Sequence, residues 1–302
     1  MYSFSGGSQL YNYTTAVADH LQLSSVLKTY ETIIQPGRSE RHYWRDLWRN
    51  RELMWILAMR DVSVRYKQTA LGTAWGLIRP LSTMLVMVLV FQKIAKLPGD
   101  PGVPYPLMIL GGITIWTFFS TAFTQISSSV TMNANLVTKV YFPRLIMPIS
   151  AVAVSFVDFL VSLGLFILLA IYYQFLPDWH LLLLPFFILL AILAAFAFGL
   201  FFATINVRFR DVGQLIPFLM QIGFYACPIA YTSRTVANEW WYPIYILNPM
   251  VGIIDGFRWS LLGEQSFFNP QSLVASVVII SVCLVLSLYF FRKRESTFVD
   301  DI

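Results

Sequence analysis

The sequence predicts an all-α polytopic membrane protein. It has six transmembrane helices, both termini in the cytoplasm, an amphipathic interface helix before the first span and short re-entrant or interfacial helices before the last. Three observations predict this. Hydrophobic residues make up 57% of the 302-residue chain and charged residues only 12%, against the roughly 25% charged residues of soluble domains. Apolar runs of about 20 residues, the length that crosses roughly 30 Å of hydrocarbon, recur along the chain. Lys and Arg collect in alternate connections between those runs, as the positive-inside rule requires.

The elements follow in order. Residues 1–40 form a polar N-terminal tail without an apolar core for a cleavable signal peptide. Residues 41–70 hold Trp44, Leu47, Trp48, Trp55 and Met59 at roughly helical spacing among arginines. That pattern predicts an amphipathic helix in the headgroup layer. It serves as a simple anchor or as a lever that feels a partner, and the sequence favours the anchor. The transmembrane domain covers 71–291. Its spans are expected at Leu71–Lys96, Tyr105–Ser128, Leu145–Tyr173, Leu181–Asn206, Gly213–Tyr231 and Leu273–Phe291. Backbone polar groups in hydrocarbon must bond internally, which makes each of these runs a helix. The stretch 240–262 is apolar but interrupted by Pro243, Pro249, Gly252 and Gly256, and it contains Asp255 and Arg258. It reads as short re-entrant helices rather than a seventh span. Residues 292–302 form a cytoplasmic C-terminal tail.

Orientation rests on the basic residues. Arg41 to Lys67, Lys139, Arg144, Arg208, Arg210 and Arg292 to Arg294 fall on one side. Lys93, Lys96, Arg234 and Arg258 fall on the other. The richer side is the cytoplasm. It therefore sees the insert NANLVTKVYFPRLIMP, Asn133 to Pro148.

Catalytic chemistry is not legible. The chain has no G-x-x-x-x-G-K-[ST] phosphate loop and no H-E-x-x-H, and its histidines, His20, His42 and His180, are scattered. Cys227 and Cys283 sit in apolar runs and read as inert packing residues. No cofactor or metal site is expected, and the net charge of +5 reports orientation rather than nucleic-acid binding. Asp158 is an isolated carboxylate in the third span. It lines a polar path or pairs with a neighbouring helix, and pairing is preferred. Arg79 can snorkel to the interface. So few intramembrane charges argue against a proton-coupled carrier. Trp116, Phe118, Phe119, Phe123, Phe224 and Tyr225 crowd the second and fifth spans. They form an interfacial belt or a stacking surface for sugar rings.

Four stretches together resemble one family, the membrane subunits of ABC-2 type polysaccharide exporters, which carry O-antigen, capsule or teichoic acid chains. They are RELMWILAMRDVSVRYKQTALGTAWGLIRPL (Arg51 to Leu81), the Asn-Leu-Val-x-Lys-Val-x-Phe-Pro-Arg core of the insert, VRFRD (Val207 to Asp211) and LNPMVGIIDGFRWSLLG (Leu247 to Gly263). The resemblance runs from about Tyr30 to Arg294. It implies a homodimer beside two nucleotide-binding ATPase subunits that bind the ATP and Mg. The substrate is then a lipid-linked polysaccharide, most expectedly O-antigen, crossing the cell inner membrane between two copies.

The resemblance makes residues 133–144 a coupling loop, and it implies that Asn135, Leu136, Lys139, Val140, Tyr141, Phe142, Pro143 and Arg144, together with Arg60 and Asp61, couple the chain to the ATPase. Phe142-Pro143 ends a short helix, because proline cannot continue one. Leu136, Val140 and Phe142 are expected to fill a groove in the partner. The aromatic set Trp116, Phe118, Phe119, Phe123, Phe224 and Tyr225 is expected to line the channel. Asn248, Pro249, Asp255 and Arg258 are expected in external gate helices. Alternatives are an ABC-2 exporter of a teichoic acid, drug or small lipid and, from other classes, a membrane-embedded transferase or an ATP-independent flippase.

Overall fold

The computed structural model describes residues 43–67, 74–140, 142–175 and 178–298. The expected N-terminal tail, Leu71 and Tyr141 lie outside the described residues. The chain divides into two units, Met1–Asp46 and Leu47–Ile302. Of the first, Tyr43–Asp46 is described, the start of helix α1 (Tyr43–Arg49). All that follows concerns the second unit.

Among the described residues the regular structure is helical, without strands. Helix α2 (Arg51–Lys67) leads to α3 (Ala74–Met87), which continues as wider π-type turns over Val88–Ile94. Then come α4 (Tyr105–Met132), the short α5 (Ala134–Lys139) and α6 (Ile146–Tyr172). Helix α7 (Leu184–Arg208) is entered through a 3-10 turn, Trp179–Leu183. Next are α8 (Val212–Ala226), the single turn α9 (Tyr242–Tyr245), α10 (Pro249–Leu262) and α11 (Pro270–Arg294).

Five helical segments are long and apolar enough to cross a membrane: Ala74–Ile94, Tyr105–Met132, Ile146–Tyr172, Trp179–Arg208 and Pro270–Thr297. The expected fifth span is different. Its helix, Val212–Ala226, has 15 residues, about 22 Å at 1.5 Å per residue, short of a roughly 30 Å core. It stops at Cys227-Pro228, where the backbone turns extended. The following residues, Pro228, Ile229 and Ala230, are buried. Ile229 packs its backbone on Gly112, and Tyr105 donates a 2.8 Å hydrogen bond to the Ala230 carbonyl. Non-helical backbone inside a membrane protein has to be covered by protein in this way.

Helix α4 is the centre, packing most extensively against α7 and α6. Its first half is almost wholly apolar, and Leu107 to Ile115 are buried on every side. Helix α10 is the second buried element, with α11, α4 and α7 around it. Gly252 and Gly256, four residues apart, let it approach closely. A Cβ at Gly256 would overlap the Phe187 ring, and one at Gly252 would meet Ser276 and Ser272 of α11. Small residues at this spacing are how membrane helices come into contact. Helix α2 buries Leu57 and Ala58, packs along α6, and leaves Trp55, Ile56 and Val64 exposed beside Arg51 and Arg60.

Candidate functional site

The insert between α4 and α6 is built as follows. Asn133 ends α4, and its amide nitrogen donates to the Ser129 carbonyl at 2.8 Å. Its side-chain oxygen accepts from the Arg60 guanidinium of α2 at 2.8 Å, while Arg60 also pairs with Asp61 at 2.7 Å. Residues 73 positions apart in sequence are thus joined, and the structure brings Arg60 and Asp61 to the root of the predicted coupling loop. Helix α5 then presents Asn135, Lys139 and, just beyond it, Val140 to the outside, with Leu136 partly covered.

Phe142 lies differently from its expected place in a partner's groove. It is 7% exposed, whereas Val140 is 49% exposed. Phe142 anchors the loop to its own chain, with Pro143 and Arg144 partly covered behind it. The Arg144 backbone N–H donates to Glu295 Oε1 at 2.7 Å, and its guanidinium lies 6.0 Å from the Phe298 ring centre. Phe298 packs in turn on Phe291 of α11. Residues 292–298, expected as a tail, therefore clamp the loop.

Asp158 is paired, as the preferred reading held. Arg65 of α2 lies 2.6 Å from one carboxylate oxygen, and the Tyr66 hydroxyl donates to the other at 2.5 Å. Between this pair and Asn133 lies a cavity of about 480 Å³, lined by Arg60, Arg65, Gln125, Ser129 and Asn133, with Met147 and Val154 as its apolar wall.

The six aromatic candidates separate into two groups. Trp116, Phe118, Phe119 and Phe123 are buried within one chain. Phe118 packs on Phe159 of α6 at 4.9 Å between ring centres, and Phe123 packs on Phe202 of α7 at 5.3 Å. Phe224 is partly exposed and Tyr225 is exposed on α8. The 6.3 Å edge contact of Trp116 with Phe224 links the groups. A small apolar cavity of about 180 Å³ brings Trp116 and Phe119 together with Asn248 and Pro249.

Asn248 caps α10. Its side-chain oxygen accepts from the Met250 N–H at 3.1 Å, and Pro249 occupies the first helical position, where no N–H is needed. About two turns on, Asp255 and Arg258 form a fully buried pair 2.8 Å apart. Arg258 also donates to the Tyr231 carbonyl at 3.2 Å, holding the extended segment after α8, and its stem rests against Gly111 of α4. Burial pushes the Asp255 carboxyl up from its ordinary value, and Arg258 opposes that shift. Among the described residues, Asp255 Oδ2 and Arg258 Nε make no hydrogen bond of ordinary geometry, although the Ser233 hydroxyl lies near the carboxyl and favours its charged form.

A residue that sequence reasoning passed over ties this region together. Asp100 is buried and accepts from Thr232 (2.8 Å), Ser266 (3.2 Å) and the Phe267 N–H (3.3 Å). It joins the connections after α3, α8 and α10. The available signal was an acidic residue inside the turn Pro98-Gly-Asp-Pro-Gly102.

A helical core with five membrane-long segments, a polar insert tied to α2 and a buried charged pair on the short helix α10 are the features of a multi-pass membrane protein. The model of the ABC-2 type transporter family matches residues 52–262. The chain belongs to that family. It is similar to the O-antigen export system permease protein RfbA of Myxococcus xanthus, 29% identical over 259 residues that cover 85% of this chain and 98% of the relative. A relative of the same name from Klebsiella pneumoniae is 24% identical over 255 residues, covering 82% of this chain and 94% of the relative.

Proposed function

We propose that the chain is the transmembrane subunit of an ATP-driven exporter that moves lipid-linked O-antigen polysaccharide across the inner membrane. Two copies form the channel, and two separate ATPase subunits bind ATP and Mg and supply the energy. The observation that carries this reading is the near full-length likeness to the O-antigen export permeases of two organisms. In this reading α8 and the buried segment after it make the sixth crossing, which puts both termini in the cytoplasm. The α10 region with Asp255 and Arg258 forms the external gate. Phe224 and Tyr225 are the aromatic candidates placed to meet the polymer, with Trp116, Phe118, Phe119 and Phe123 shaping the wall behind them.

Coupling runs through α5. Lys139 and Val140 are exposed, so they touch the ATPase, while Phe142, Arg144 and the Arg60–Asn133 contact hold the loop stiff enough to transmit force. The test is co-purification with the co-expressed ATPase subunit. The native chain leaves the membrane as a complex with ATPase activity. The Lys139→Glu, Val140→Asp variant remains membrane-inserted but loses the ATPase. A variant that keeps the ATPase as well as the native chain does overturns the coupling assignment.

A further inference from the structure

The most buried span has one open face, and that face is polar. Between Leu107 and Thr131 of α4, Thr117, Thr121, Thr124, Ser128 and Thr131 escape burial, flanked by Ser120 and Gln125. Every other residue in that stretch is buried. The five principal positions advance by four, three, four and three residues, which is one face of a helix. Thr117 to Thr131 rises about 21 Å, most of a bilayer core. A lipid-facing surface in this chain looks different. Up to the last residue of α6, Tyr172, its exposed residues are Phe156, Leu160, Ile167, Leu168 and Ile171, all apolar.

The hydroxyls are also arranged in a particular way. Thr121 donates to the Thr117 carbonyl at 2.7 Å, Thr124 to Ser120 at 2.7 Å and Thr131 to Ser128 at 3.0 Å. Their protons are used within the helix, so the lone pairs are what they offer outward. These three donors are satisfied without a ligand. Beside the row, Gln125, Ser129 and Asn133 of the same helix end line the 480 Å³ cavity together with Arg60 and Arg65.

We infer that this stripe of α4 is the water-filled face along which an uncharged, hydroxyl-rich polymer slides, accepting hydrogen bonds from successive sugar hydroxyls. The inference rests on the export reading above and names the residues of that path. It differs from the aromatic assignment, because Phe118 and Phe123 lie on the buried side of the same helix.

The test uses single cysteines in the full chain with its ATPase partner, in a Cys227→Ala, Cys283→Ala background. Thr121→Cys and Ser128→Cys are treated in native membranes with a small charged thiol reagent, beside the lipid-facing controls Leu168→Cys and Val282→Cys. A thiol in an apolar setting stays neutral and unreactive, so the controls react at least about tenfold more slowly than the stripe. Modification at Thr121→Cys also stops glycan export, and the Thr121→Val, Thr124→Val variant exports less than its Thr→Ser counterpart while retaining the ATPase. Stripe cysteines as slow as the controls overturn the inference. So does oxidative cross-linking of two copies through Thr121→Cys with the charged reagent excluded, which makes the stripe a dry interface. The native chain's export assay separates the two readings. No glycan export by the native pair, with a reactive stripe, removes the substrate and leaves the hydrated face.

Discussion

At the residue scale, the Asp255–Arg258 pair is the most constrained feature of the chain. Both side chains are fully buried, and Arg258 bridges α10 to the segment after α8. Taking two charges out of water is costly, and removing one partner leaves the other uncompensated. Arg258→Met is therefore expected to destabilise the chain by about 3–5 kcal/mol, while the double change Asp255→Asn, Arg258→Met costs much less. Thermal unfolding of the purified protein in detergent checks the order of the two variants. A double variant no better than the single would remove the uncompensated charge as the cause. The sequence made Asp255 and Arg258 stand out as charges in an apolar stretch. Their pairing, three residues apart on one helix face, was readable from spacing. Their burial was not, because it depends on Gly111 and Gly256 making room at contacts far apart in the chain.

At the element scale, the insert divides its labour between anchor and contact. Phe142→Ala removes a buried ring and is expected to cost about 3–5 kcal/mol. Val140→Asp changes an exposed side chain and is expected to leave stability within roughly 0.5 kcal/mol. Measured unfolding of the two variants decides it, and equal losses would contradict the assignment. Much of the architecture was legible in the sequence. The spans expected at Tyr105–Ser128, Leu145–Tyr173, Leu181–Asn206 and Leu273–Phe291 each fall on an observed helix, because a long apolar run has no alternative in hydrocarbon. The run Gly213–Tyr231 misled at its end. Hydropathy continues past Cys227, yet Pro228 stops the helix and the chain remains apolar because it is packed in protein. The α4 stripe was visible as a hydroxyl or amide every three or four residues. It was masked by the aromatic residues between, and only burial shows which set faces outward. Phe142 was read as exposed because Phe-Pro-Arg resembles a docking motif, while the Phe298 and Glu295 contacts that fix the loop come from more than 150 residues away.

At the scale of the whole molecule, the proposed path runs through three regions: the α5 loop, the polar face of α4, and the Asp100 and Asp255–Arg258 knots. The loop is tied to α2 through Arg60 and Asn133 and to the C-terminal turn through Arg144 and Glu295, and α2 is tied to α6 through Arg65 and Asp158, so in the proposed coupling a push at α5 would reach α6 by that route as well as along the chain. The measurement that tests this most directly is glycan uptake by inside-out membrane vesicles carrying this chain and its ATPase, supplied with lipid-linked O-antigen. ATP-dependent uptake that disappears with the Lys139→Glu, Val140→Asp variant is the expected result. Uptake that persists without ATP, or in vesicles lacking this chain, would contradict the account.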